Sequence, residues 1–426
     1  MKKIFIILFL LYESSLFAQW VSVGNQIWDN GNGTPPNVLI ADTNYVYAGG
    51  GFTIIAPDTV NQIAKWDGVS WSGLGTGIPI NVYALCKYNG ILYAGGFGGN
   101  NPFHNIAQWD GNNWTPVGTG FNNIVNALCI HNGELYAGGD FDSAGTVVAH
   151  KIAKWNGTTW SAIGNGMNNY VGSLVSFQGN LYAGGGFTLA DGNSANYIAK
   201  WDGSNWTSLG SGTNSSAGFL VANQNYLFAG GTFTNAGGVN VNGSAEWDGN
   251  SWYNVAGGMG NITALCTDTA NNIYAGSYMA DAVFRWDGVN WYTVCQNGPA
   301  FLGNATASAL VFHKGELYAN VVLSGSGGKE VSKCSNPLAP TGIINEISEK
   351  EKISVIPHPL LDKSILSLNE DGQCNISFYD VLGEEIVKRN FQKEFLLNRS
   401  DFEVAGIYFY RITANYNSFY GKLIVQ

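Results

Sequence analysis

Residues 82–117 carry the pattern that decides the fold: Val82-Tyr-Ala-Leu-Cys-Lys-Tyr-Asn-Gly90, then Ile91-Leu-Tyr-Ala-Gly-Gly96, and after a loop Asn105-Ile-Ala-Gln-Trp-Asp-Gly-Asn-Asn-Trp114-Thr-Pro-Val117. Val82 to Cys86 is a short apolar run. Asn89-Gly90 supplies the positive φ angles that a tight hairpin turn needs before the second run, Ile91 to Ala94. Asn105 to Trp109 predicts a third strand, Asp110-Gly-Asn-Asn113 a second tight turn, and Trp114 to Val117 a fourth strand. These runs are apolar on both faces, as in a sheet packed between two other sheets.

The unit repeats along the chain. Tyr93-Ala-Gly-Gly has counterparts beginning at Tyr47, Tyr136, Tyr182 and Phe228, and weaker ones at Tyr274 and Tyr318, at steps of 43 to 46 residues. The pair Trp109/Trp114 recurs as Trp66/Trp71, Trp155/Trp160, Trp201/Trp206, Trp247/Trp252 and Trp286/Trp291. A period in the mid-forties with four short strands is that of propeller blades. Trp20-Val-Ser-Val23 matches a fourth strand without the three that should precede it. The last unit stops at a third-strand match, Glu330-Val-Ser-Lys-Cys334, with Cys334 in the Trp position. Pairing these ends completes a seventh blade and removes two free edges. The expected fold is therefore all-β: a seven-bladed propeller over residues 19–336, closed by its N-terminal strand.

The double glycines Gly49-Gly50, Gly95-Gly96, Gly138-Gly139, Gly184-Gly185 and Gly230-Gly231, each followed by a later Trp, resemble the kelch-like propeller family, although Trp66 and its equivalents stand where that family usually carries Tyr. The resemblance implies architecture and says little about activity. Pro337 to Lys352 reads as a linker. Beyond it, Ile353-Ser-Val-Ile-Pro-His-Pro359, Ile376-Ser-Phe-Tyr-Asp-Val-Leu-Gly383, Ala405-Gly-Ile-Tyr-Phe-Tyr410 and Gly421-Lys-Leu-Ile-Val-Gln426 resemble the type A sorting domain of the type IX secretion system of Bacteroidota. That resemblance implies a small C-terminal β-sandwich over residues 353–426. It also implies recognition by the type IX machinery, passage through the outer membrane, removal of this domain, and release or attachment at the cell surface.

The bulk composition agrees with an exported all-β chain. Charged residues are 12%, aromatic residues 13% and apolar residues 45%, with 57 glycines, which excludes a disordered chain. A net charge of −10 disfavours binding to nucleic acid or anionic lipid. Residues 1–18 have the order of a secretory signal peptide: Lys2-Lys3, the apolar run Ile4 to Leu11, and Ser14-Ser-Leu-Phe-Ala18 before the cut. Eight to ten apolar residues are too few to span about 30 Å of hydrocarbon, and no later stretch is apolar enough. Cys86, Cys129 and Cys266 share one repeated position and read as inert core thiols. Cys295 and Cys334 lie off the pattern, where a bridge is one option.

Residues present in every blade read as structural. Asp67, Asp110, Asp202, Asp248 and Asp287, with Asn156 in the remaining copy, cap a turn through their own side-chain oxygen. His131 and His313 occupy hairpin turns and read as solvated. The paired tryptophans, Trp109 and Trp155 among them, read as core. Variation falls on the second-to-third-strand loops and the crossings between blades, which share one rim, and that rim is the expected functional face. Its candidate ligand-binding residues are Trp28, Phe103, His104, Asp142, His150, Asp191 and Tyr278. Trp28 could stack on a sugar ring or plug a gap between blades. Asp140/Asp142 and Asp191/Asn193 are partial Ca²⁺ ligand sets. No other cofactor is expected, and no nucleophile–base arrangement or metal-ligand spacing stands out. Two functions compete: a binding module for an extracellular glycan or protein, and an extracellular enzyme acting on polysaccharide from the same rim. Convergence of two carboxylates, or of a carboxylate and a His, on the central opening of the variable rim would favour the enzyme.

Overall fold

A computed structural model describes residues 20–24, 36–55, 58–99, 101–255, 259–277, 282–288, 290–294, 305–323 and 329–335, and the strands and one short turn between 353 and 425. The leader 1–18, the linker 337–352, Trp28 and Tyr278 lie outside the described residues. The chain divides into two units, Met1–Thr341 and Gly342–Gln426.

The first unit is a propeller of seven four-stranded antiparallel sheets. The second blade is typical: Asn81–Tyr88, Ile91–Phe97, Ile106–Trp109 and Trp114–Pro116 pair in sequence order. Its outer turn forms as the sequence suggests, with Asp110 Oδ1 accepting hydrogen bonds from the amides of Asn112 and Asn113, both at 2.8 Å. Asp67, Asp202 and Asp248 cap their turns in the same way. The double glycine answers to close packing between blades. A Cβ on Gly95 would meet Val125 Cγ1 of the next blade at 2.5 Å, and one on Gly49 would meet Val82 Cγ1 at 2.5 Å. Any side chain there would push neighbouring sheets apart.

The seventh blade is built from both ends of the unit. Ala305–His313, Glu316–Leu323 and Lys329–Ser335 are completed by Trp20–Ser22, in the register Trp20↔Cys334, Val21↔Lys333 and Ser22↔Ser332. Trp20 and Cys334 thus repeat the Trp66↔Trp71 pairing of the first blade. Cys334 is fully buried and disulfide-bonded, and its partner lies outside the described side chains. Cys86, Cys129 and Cys266 are free thiols, and burial pushes Cys86 up to about 12 and Cys129 to about 11, so both are unreactive.

Blades are tied by indoles. Trp71 Nε1 donates to the Val23 carbonyl at 3.0 Å, Trp114 to Leu74 at 3.0 Å, Trp160 to Val117 at 3.0 Å and Trp252 to Leu209 at 2.9 Å, each reaching the end of the preceding blade's fourth strand. Two sequence expectations need correction here. His131 and His313 are buried, at 3% and 9% exposure, because the neighbouring blades cover them. His131 Nδ1 lies 2.9 Å from Ser176 Oγ one blade away, and burial lowers the pKa of both imidazoles. The paired tryptophans are also not uniformly core, since Trp109 and Trp114 are only half-buried.

The second unit holds a three-stranded sheet, Ile353–Ile356, Lys363–Leu368 and Glu394–Asn398, and a four-stranded sheet, Cys374–Tyr379, Glu385–Phe391, Gly406–Ala414 and Asn417–Val425. Phe378, Phe402, Tyr408 and Tyr410 form its aromatic core, with Phe378 and Phe402 edge-to-face at 5.3 Å. No helix among the described residues is long and apolar enough to cross a membrane.

Candidate functional site

The variable rim is more ordered than its sequence suggests. In blades one, three, four and five the second-to-third-strand loop is a small hairpin: Ile54–Ile55 with Asp58–Thr59, Ser143–Ala144 with Val147–Val148, Leu189–Ala190 with Asn193–Ser194, and Asn235–Ala236 with Val239–Asn240. Each is anchored by a fully buried phenylalanine: Phe52, Phe141, Phe187 or Phe233. Asparagines of the preceding crossings hold three of the hairpins. Asn122 Oδ1 accepts from Asp142 N at 2.9 Å and Ser143 N at 3.1 Å; Asn168 does the same for Thr188 and Leu189, and Asn214 for Thr234 and Asn235.

Between the hairpins of blades three and four lies a niche of about 320 Å³ lined by Asp142, His150, Lys151, Asn165, Asn168 and Leu189, among others. Lys151 Nζ is 3.0 Å from Asp142 Oδ1 and 3.7 Å from Asp140 Oδ1, and it donates to the Asp140 carbonyl at 3.1 Å. His150 Nδ1 lies 3.4 Å from the same Asp142 oxygen. Lys151 holds the Asp142 carboxyl below its ordinary range, against the opposing effect of burial and with help from His150. Asp142 and His150 remain open to solvent, with side chains 57% and 50% exposed, whereas that of Lys151 is 14% exposed. The niche therefore presents an ionised carboxylate and an imidazole over a largely sequestered ammonium.

Of the sequence candidates, Asp142 and His150 come together in this niche. Asp191 abuts it, but its Oδ1 accepts the Asn165 amide at 2.5 Å and fixes the crossing. The structure places Lys151 where a cation between Asp140 and Asp142 would sit, and no group of three or more metal-ligating side chains occurs among the described residues. His104 is exposed at φ +47°, and its carbonyl accepts Phe121 N at 2.7 Å, which makes it a loop-shaping residue away from the niche. Phe103 lines a separate hollow of about 690 Å³ together with Trp109 and Trp114. Sequence reasoning missed Lys151, Asn165 and Asn168. The recurring Phe and Asn spacings within the supposedly variable segments were the available signal for the rim's order.

The secretion system C-terminal sorting domain family matches residues 354–426. No curated protein matches the chain. Among solved structures, the extracellular domain of a B. thetaiotaomicron protein is similar at 12% identity and a TM-score of 0.48, over 96% of this chain and 58% of that one. This chain thus spans under two thirds of that relative's length. Virginiamycin B lyase from Staphylococcus aureus aligns at 10% identity and a TM-score of 0.49, covering 75% of this chain and 98% of its own. The WD40 propeller domain of Doa1 aligns at 14% and 0.46, covering 73% and 97%. Likeness this distant does not pick out a propeller subtype. Residues 354–426 are a type IX secretion C-terminal sorting domain, carried behind a seven-bladed propeller.

Proposed function

We propose that this chain is an exported binding module, delivered to the cell surface or released by the type IX machinery, which captures an extracellular glycan or protein on the variable rim of its propeller. The sorting domain and the propeller support the export half of this reading. The observation that carries the binding half is the Asp142–His150–Lys151 group, held on hairpins that buried phenylalanines and crossing asparagines make rigid. A fixed set of donors and acceptors of this kind suits recognition. It suits glycoside hydrolysis poorly. That chemistry asks for one carboxylic acid kept protonated near neutral pH, whereas Lys151 drives Asp142 the other way.

The test is an array of extracellular polysaccharides and surface proteins probed with the exported protein and with an Asp142→Asn/His150→Ala double variant. Capture by the wild type that falls at least tenfold in the variant supports the reading. New reducing ends from a polysaccharide substrate would favour the enzyme instead.

A further inference from the structure

Blade two breaks the pattern of its neighbours in a way that opens a second site. In the third, fourth and fifth blades the buried Phe stands two residues beyond the double glycine, as Phe141, Phe187 and Phe233, and the hairpin that follows lies against the blade's own fourth strand. In blade two that position is Gly98, and the nearest aromatic, Phe97, ends its strand facing outward at 44% exposure. Without the anchor, the loop continues to Phe103, and its described residues form no two-stranded hairpin. The tryptophan of the fourth strand loses its cover as a result. Trp71, Trp160, Trp206 and Trp252 are 4–7% exposed, whereas Trp114 is half-buried, as is Trp109 beside it, with ring centroids 5.4 Å apart and planes inclined at 44°.

The uncovered rings line the hollow of about 690 Å³ together with Phe103, Asn61, Gln62 and Asn112. No charged side chain is part of that lining. Asn112, exposed on the outer turn, offers the hollow an amide that can both donate and accept. Indole faces, side-chain amides and the absence of charge describe a surface for a ring with one apolar C–H face and an equatorial rim of hydroxyls.

We propose that this hollow is a subsite for a neutral carbohydrate, a pyranose unit of an uncharged oligosaccharide, which stacks on Trp114 or Trp109 and hydrogen-bonds the side-chain amide of Asn112. The site is distinct from the Asp142 niche and does not require that niche to bind anything. It is formed where blade two lacks the hairpin that blades one, three, four and five carry.

The test uses the full chain with cellotetraose, mannotetraose and maltotetraose at millimolar concentration. Binding is read by saturation-transfer NMR, and oxidative footprinting of tryptophan reports the site on unmutated protein. The expected result is binding of at least one tetrasaccharide, with protection at Trp109 and Trp114 and none at the half-buried Trp201 and Trp291. Trp114→Ala and, as a milder variant, Asn112→Ala should each weaken binding by about tenfold. Failure of all three sugars to bind, or binding that leaves Trp109 and Trp114 as reactive as before, overturns the proposal.

Discussion

The Trp20 indole donates a 3.3 Å hydrogen bond to the carbonyl of Val294, at a separation of 274 residues. It is the same bond that Trp71 makes to Val23 and Trp160 to Val117, except that here the donor comes from the start of the propeller and the acceptor from near its end. Closure of the ring thus uses the ordinary inter-blade contact. Trp20 is 1% exposed and packs in one cluster with Cys334. Trp20→Ala should cost about 3–5 kcal/mol, as expected for a fully buried Trp, and should appear as a lower denaturation midpoint. An unchanged midpoint would refute the clasp. Peptide mapping without reductant should also return Cys334 in a bridged peptide.

Export is separable from folding on this reading. Deleting residues 354–426 should leave the protein in the periplasm with a folded propeller, because that segment is the sorting domain and the chain divides at Thr341/Gly342. Cell fractionation with surface proteolysis reads the outcome. Normal surface delivery of the shortened chain would sink the assignment.

The seven-fold repeat was readable because each blade restates the same local rules. Asp67 and its counterparts cap turns through atoms two and three residues away, which a sequence displays directly. The misplaced His131 depends on a neighbour 45 positions off. His131 looks like a turn residue until the next blade brings Ser176 against it. Lys151 looks like a strand leader until its positive φ, shared with Gln62, Asn105 and Tyr197 at the same place, turns its side chain toward Asp140 and Asp142. The niche needs two blades and a crossing at once, so no single repeat announces it.

Burial at one inter-blade contact makes stability depend on pH. Glu246 is 7% exposed, and burial raises its pKa, opposed by the 2.7 Å hydrogen bond from Trp286 Nε1. The folded protein therefore keeps this proton to higher pH than the unfolded chain does. Its contribution is complete below the ordinary glutamate value of 4.5 and is lost as pH rises through the raised one. Glu246→Gln retains an acceptor for Trp286 and cannot ionise. The variant should match the wild type near about pH 4 and exceed it in melting temperature by about pH 8. A difference that is the same at both ends would exclude ionisation of Glu246 as the cause.

The tryptophans of blades two and three should part company when truncated, although the sequence presents them as equivalent. Trp160 is 4% exposed and packs against Phe121 with ring centroids 4.6 Å apart and planes inclined at 60°, and Phe121 in turn meets the hairpin anchor Phe141 at 4.1 Å. Removing its indole opens a cavity inside a three-ring cluster, and Trp160→Ala should cost about 3–5 kcal/mol. Trp114 makes the same hydrogen bond to the preceding blade, at 3.0 Å in both cases, so that bond cancels in the comparison. What differs is the cover. Trp114 has no hairpin above it, and part of its indole already faces the hollow, so less apolar surface returns to water on truncation and no closed cavity forms. Trp114→Ala should cost about half as much, roughly 1.5–2.5 kcal/mol. Denaturant midpoints of the two variants measured side by side decide the matter. Equal losses would mean that blade two is sealed like its neighbours, and the hollow beside Trp114 would no longer be available to a ligand.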